Sequence, residues 1–270
     1  MTQQDSVFTG SIPQIYDSHL VPLIFQAYAD DLAERMGSRE PSSVLETAAG
    51  SGVVTRAAAR RLDPGARYTV TDLNPAMLEH ARSRQRDDAR FSWQPADALE
   101  LPFPDDSFDI VLCQFGVMFF PDRIKGFAEA RRVLKPGGLF LFNTWDRIEE
   151  NHFAEEVTRA AGTLFPDDPP LFLARTPHGY HDPDQIRSDV EAAGFSGVRI
   201  AALERASAAA SPDIPAIAYT QGTPLRNEIE ARDANLLTEA TEAATAAIRV
   251  RFGDGSVEGR IHAFVVEADA

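Results

Sequence analysis

The sequence predicts an α/β protein, a doubly wound and mostly parallel sheet with helices on both faces, and three observations carry that prediction. Between residues 43 and 144, short β-rich runs alternate with longer runs whose apolar residues recur at helical spacing. The junctions hold turn-forming and capping residues, as in Asp72-Leu73-Asn74-Pro75 and Lys135-Pro136-Gly137-Gly138. The 270 residues, 44% hydrophobic and 25% charged, suffice for one large core with insertions.

Taken in order, residues 13–36 place Ile15, His19, Pro22, Leu23, Phe25, Tyr28, Leu32 and Met36 at broadly helical spacing. They read as one or two amphipathic helices stopping near Gly37 and Pro41. A strand at 43–47 then leads to a helix at 53–61, a strand at 67–71, a helix at 75–84 and a strand at 91–94. A strand at 108–114, a helix at 123–133 and a strand at 138–144 follow. Five such units in series imply parallel pairing, because each crossover returns the chain to the same edge. Pro166, Pro169, Pro170 and Pro177 among aromatic residues predict an irregular segment over 151–180, suited to a lid or binding loop. A helix at 184–193, a strand at 198–205, a helical region at 213–251 and a last strand at 259–267 close the order. The domain reading is an N-terminal helical cap, 1–40, and one α/β domain, 41–270, with insertions at about 146–182 and 208–252.

Charge narrows the partners. Twenty-six Lys and Arg against 41 Asp and Glu leave a net charge of −15, which repels phosphate backbones and anionic lipid surfaces. Nucleic acid is not expected as a partner, nor is stable membrane association, since no basic amphipathic helix or long apolar run is present. Cys113 is the single cysteine, so neither an internal disulfide nor a multi-cysteine zinc site is possible. With no export signal in the first 30 residues, the expected compartment is the cytoplasm.

The chemistry concentrates in the run from Val44 to Thr55, Val-Leu-Glu-Thr-Ala-Ala-Gly-Ser-Gly-Val-Val-Thr, an apolar strand entering a small-residue turn and then a helix. Small residues let a ligand approach the backbone, and the helix start offers free N–H groups. A glycine pair alone is weak, being equally a tight strand-to-helix turn. The second strand, however, ends at Asp72, 20 residues past Gly52, where a doubly wound fold presents a carboxylate to a nucleotide ribose. Asn74 and Pro75 suit the N-cap and first helical positions, leaving Asp72 available to a ligand. Further strand ends carry Asp97-Ala98 and Gln114-Phe115-Gly116.

In this order and spacing, Glu46 to Gly52, Asp72 to Met77, Asp97-Ala98, Phe108 to Phe120 and Arg132 to Gly138 resemble the class I S-adenosylmethionine-dependent methyltransferases, nearest to the branch holding the ubiquinone and menaquinone biosynthesis C-methyltransferases. The likeness covers about residues 42–145. It implies a Rossmann-like, seven-stranded sheet whose last strand runs antiparallel and slots beside the strand at Gly138. It implies S-adenosyl-L-methionine as cofactor, S-adenosyl-L-homocysteine as product, and in-line methyl transfer to a small-molecule acceptor at carbon, oxygen or nitrogen.

Carried over by position, the likeness places Glu46 near the methionine amino group, Gly50 and Gly52 along the methionine moiety and Asp72 on the ribose. Leu73 and Met77 match positions packing near adenine, and Asp97 with Ala98 matches the pair at the adenine edge. Gln114 faces the amino-acid end of the cofactor, Phe115 follows it, and Tyr16 on the leading helix is the outside contributor. Ala48 departs from the pattern, which has glycine there; its methyl is tolerable if φ is negative. Neither a metal site nor a catalytic base is singled out, although His19, His152, His178 and His181 are present. Two other readings stay open: a nicotinamide-dependent oxidoreductase using the same turn, which lacks the third small residue of that fingerprint, and a non-catalytic nucleoside binder.

Overall fold

The computed structural model describes residues 12–270, so the part of the expected cap before Ile12 lies outside the described residues. The described residues divide into two compact units: 12–25, Trp145–Tyr180 and Leu203–Ala263 form the first, and Gln26–Thr144, His181–Ala202 and Phe264–Ala270 the second.

The sheet has the strand order β3-β2-β1-β4-β5-β7-β6. Its strands are β1 (Ser43–Glu46), β2 (Arg67–Asp72), β3 (Phe91–Pro95), β4 (Phe108–Gln114), β5 (Leu134–Trp145), β6 (Ser196–Ala209) and β7 (Val257–Asp269). The first five pair in parallel, with Glu46 opposite both Val70 and Leu112, Asp72 opposite Pro95, and Gln114 opposite Asn143. The last strand runs against β5: Ala270 N donates to Gly138 O, and Asp146 N donates to His262 O, one number rising as the other falls. The seven-stranded, doubly wound expectation with its antiparallel insertion is therefore met.

In the second unit the central strands are sealed on both faces, as parallel strands require, with Val44, Leu45, Val111, Leu112 and Cys113 fully buried. Phe127 on α5 (Arg123–Val133) packs its ring 5.7 and 5.4 Å from those of Phe140 and Phe142, and Phe195 lies 5.5 Å from Phe140. Such contacts add about 0.5–1.5 kcal/mol each beyond the area they bury. The helix α2 (Gln26–Gly37) buries Tyr28, Leu32 and Met36 in the same unit, and α3 (Val53–Ala58) buries Val54, Ala57 and Ala58. The capping expectation is met at α4 (Pro75–Arg84), where the Asn74 side chain accepts from Ala76 N and Pro75 occupies the first turn.

In the first unit the irregular segment expected over 151–180 is instead largely ordered. A helix, α6 (His152–Leu164), buries Phe153, Ala154, Val157, Ala160 and Ala161, a spacing of i, i+1, i+4, i+7 and i+8 that forms one apolar face. The prolines begin only at Pro166, past its end, so they terminate this helix without interrupting it. It packs on α7 (Leu237–Phe252): Phe153 meets Phe252 edge to face at 5.1 Å, and Arg251 bonds Glu155 and Glu156, both at 2.8 Å. The leading helical run in this unit comprises α1 (Ile12–Ile15) and a wider, π-type stretch, Tyr16–Phe25.

Candidate functional site

Because β1 to β4 are parallel and in register, their C-terminal ends share one edge of the sheet, and direct contacts join the four loops that follow. Ala96 N donates to Asp72 O, tying the third strand end to the second. Ala49 N donates to Thr71 O and Gly50 N to Asp72 Oδ2 at 2.8 Å, tying the second to the first. Thr47 N donates to Leu112 O, and Gly116 lies so close to Ala48 that a methyl added at Gly116 would stand 2.7 Å from the Ala48 Cβ. The loop tips are thus one connected structure.

Within it each sequence-selected residue has a definite place. Asp72 has structural duties besides the Asn74 cap: Oδ2 accepts from Gly50 N and Oδ1 from Asn74 N. Its side chain staples the glycine turn to β2. Burial raises its pKa, against which the two backbone donors pull. Leu73 beside it is 66% exposed, while Met77 is buried with its Cε 3.9 Å from where a Gly50 Cβ would sit. Asp97 is exposed, its Oδ1 accepting from Leu99 N, and Ala98 is half-buried. Gln114 is half-buried at the end of β4, and Phe115 is buried with its ring 5.3 Å from Tyr28, edge to face. Glu46 is buried, with Oε2 accepting from Thr55 Oγ1 at 2.5 Å and Tyr68 Oη at 2.8 Å. Tyr16 belongs to the first unit, where it stacks on Phe25 at 5.0 Å.

The backbone corrects one expectation. Ala48 has φ +50°, in the left-handed region, where an L residue costs about 1 kcal/mol or more. Phe115 shares it at φ +49°, held by Phe115 N donating to Asn143 Oδ1 at 2.9 Å. Gly50 and Gly52, at φ +56° and +76°, adopt it without that cost. The turn therefore keeps a conformation that prefers glycine even where the sequence supplies alanine.

A family profile described as a methyltransferase domain matches residues 45–142. Over 177 residues the chain is 30% identical to the ubiquinone/menaquinone biosynthesis C-methyltransferase UbiE of Shewanella halifaxensis strain HAW-EB4, covering 61% of this chain and 70% of that one. The chain belongs to the class I S-adenosylmethionine-dependent methyltransferases. Solved structures agree in fold. YcgJ of Bacillus subtilis superposes with a TM-score of 0.57 at 21% identity, over 88% of this chain and 97% of that one. Phosphoethanolamine N-methyltransferase 2 of Haemonchus contortus, bound to S-adenosyl-L-methionine, superposes with 0.61 at 18% identity, over 100% and 60%.

The edge of this methyltransferase suits such a cofactor by its donor set. Asp72 and Asp97 supply acceptors for hydroxyl and amino groups, and carboxyl groups favour a positively charged ligand. Nothing but the Met77 methyl lies within 4 Å of where a Gly50 side chain would project. At this edge, Ser51 Oγ in the turn and Asn143 Nδ2 beside Phe115 are buried polar atoms without a partner among the described residues. An unmet buried group costs roughly 1–3 kcal/mol, and such groups gather where a ligand or water completes them. Sequence reasoning missed Asn143, Thr55 and Tyr68. Only strand register brings Asn143 level with Gln114, and only folding brings a helix hydroxyl and a strand phenol to one carboxyl.

Proposed function

We propose that this methyltransferase holds S-adenosyl-L-methionine on the joined loop tips through Gly50, Gly52, Asp72, Leu73, Met77, Asp97, Ala98, Gln114 and Phe115. The observation that supports this reading is the unbroken set of contacts from Ala96 through Asp72 and Gly50 to Ala48 and Gly116. Each Asp72 oxygen spends one acceptor position on a backbone N–H and keeps another, so one carboxylate serves two ribose hydroxyls while still bracing the turn. Exposed Leu73 offers an apolar surface to a flat base, and Asp97 an acceptor for its amino edge. When bound, the cofactor supplies a methyl group on a sulfonium with its leaving group built in, so the protein's task is to position and to exclude water.

The acceptor in this reading is a small molecule, and the likeness to UbiE favours methylation at carbon on an electron-rich ring. The net charge of −15 disfavours nucleic acid and stable membrane association. Cytoplasmic residence fits the lone cysteine, whose thiol is buried at Cys113 and pushed up to about 12 by that burial. Among the described residues, no helix is long and apolar enough to cross a membrane. Incubation with S-adenosyl-L-methionine and a panel of quinols, phenols and amines, followed by mass analysis, tests the reading. A methylated quinol or phenol with stoichiometric S-adenosyl-L-homocysteine is expected; tight cofactor binding with no transfer to any acceptor would leave the non-catalytic binder.

A further inference from the structure

The likeness assigns Glu46 to the cofactor's amino group, but the residue is only 1% exposed and its Oε2 is already engaged. The same oxygen accepts from Thr55 on α3 and from Tyr68 on β2. Tyr68 is fully buried and Thr55 likewise, so neither hydroxyl has water as an alternative partner. The three residues bracket the turn: Glu46 ends the strand before it, Thr55 lies in the helix after it, and Tyr68 belongs to the strand whose Asp72 staples Gly50. Thr71 Oγ1 adds a fourth tie, donating to the Glu46 carbonyl at 2.8 Å.

The turn needs such bracing. Ala48 sits in a conformation that opposes its side chain, and a strained residue persists only where its surroundings over-determine it. Tying the elements on both sides of the six-residue turn 47–52 to one buried carboxyl supplies that constraint. We propose, on the reading that these loop tips hold the cofactor, that Glu46 is a positioning residue that shapes the 47–52 turn through Thr55 and Tyr68 and does not itself touch the cofactor. The carboxyl's surroundings agree: Tyr68 and Asp72 on β2, Arg56 on α3 and Cys113 on β4 are the titratable groups coupled to it, and burial is the largest influence on its protonation.

The test uses two readouts on Glu46→Gln, Glu46→Ala and the Thr55→Val/Tyr68→Phe double variant. The first is calorimetric binding of S-adenosyl-L-homocysteine. Gln keeps an acceptor oxygen for both hydroxyls and loses only charge, so a positioning role predicts affinity within about threefold of the parent. A direct ammonium contact predicts a loss of more than tenfold. The double variant, which leaves the Glu46 carboxyl in place, is expected to bind about tenfold more weakly; unchanged affinity there would overturn the proposal. The second readout is hydrogen exchange in residues 47–52 without any ligand. It should quicken in the double variant and in Glu46→Ala, and stay at the parental rate in Glu46→Gln. Unaltered exchange in the double variant overturns the positioning role, whereas quickened exchange in a protein that binds no S-adenosyl-L-homocysteine overturns the cofactor reading alone.

Discussion

The two edges of the same parallel strands are built in opposite ways. At their starts, the Asp109 carboxylate receives Lys135 Nζ at 2.7 Å together with the backbone and hydroxyl groups of Ser42 and Ser43, and these donors hold its pKa well below the usual range against the cost of burial. Arg132 bonds Glu129, Asp105 and the carbonyls of Leu101 and Phe103, lining a cavity of about 470 Å³ with Arg131 and Lys135. At their ends, Glu46 is buried and Asp72 half-buried, and burial pushes Glu46 up to about 7 and raises Asp72 as well. The first edge pairs the charges of Asp109 and Arg132 internally, while the second keeps carboxyls whose ionised forms are costly and the unmet Ser51 Oγ and Asn143 Nδ2; both edges carry non-glycine residues at positive φ, Glu40 and Asp106 at the first, Ala48 and Phe115 at the second. The proposed site thus lies at the edge whose buried groups are the more costly, the distribution expected when a site is preorganised at the expense of the fold.

The largest effect expected comes from filling the glycine turn. Gly52→Ala places a methyl 2.9 Å from the Ala81 Cβ in a residue at φ +76°. Strain and overpacking together should cost roughly 2–4 kcal/mol, read as a lower denaturation midpoint with an unchanged slope. An equally stable variant would show that the turn is softer than its contacts imply.

Next in size is opposite pH dependence at the two edges. A carboxyl whose folded pKa lies above its unfolded value makes the native state less stable as pH rises through the interval between them, here from about 4.5 to about 7. Glu46→Gln should remove up to roughly 3 kcal/mol of that fall in urea titrations across this interval. Asp109, with a depressed pKa, contributes stability that is present at neutral pH and lost as pH drops below about 4. Asp109→Asn should cost about 1–2 kcal/mol at pH 7, allowing for a side chain 30% exposed, and progressively less as pH falls below about 4 toward the depressed pKa of the folded carboxyl. Matching profiles for the two variants would dissolve the contrast. The smallest expected change is a gain: Ala48→Gly relieves a positive φ and should stabilise by about 0.5–1 kcal/mol, seen as a modest rise in Tm.

What could be read in advance divides along the same line. The alternation of strands and helices, the Asn74-Pro75 cap and the insertion of the last strand follow from periodicity, local capping chemistry and resemblance, and they are present as expected. The residues at the strand ends were legible as candidates because motif spacing is a one-dimensional signal. Their duties were not. Asp72 was expected to be uncommitted once Asn74 capped the helix, yet it accepts two backbone N–H groups, one from a turn 22 residues earlier. The sign of φ at Ala48 is set by how the turn is pinned on both sides, which the alanine itself does not announce. The helix at His152–Leu164 was hidden by attention to prolines that lie beyond it.

Calorimetric titration of S-adenosyl-L-homocysteine into the parent protein, Asp72→Ala and Asp109→Asn bears most directly on the division between a binding edge and a stabilising edge. The parent should bind, Asp72→Ala should bind at least tenfold more weakly through loss of charged hydrogen bonds, and Asp109→Asn should match the parent despite its lower stability. Equal affinity for the parent and Asp72→Ala, or a loss confined to Asp109→Asn, would contradict it.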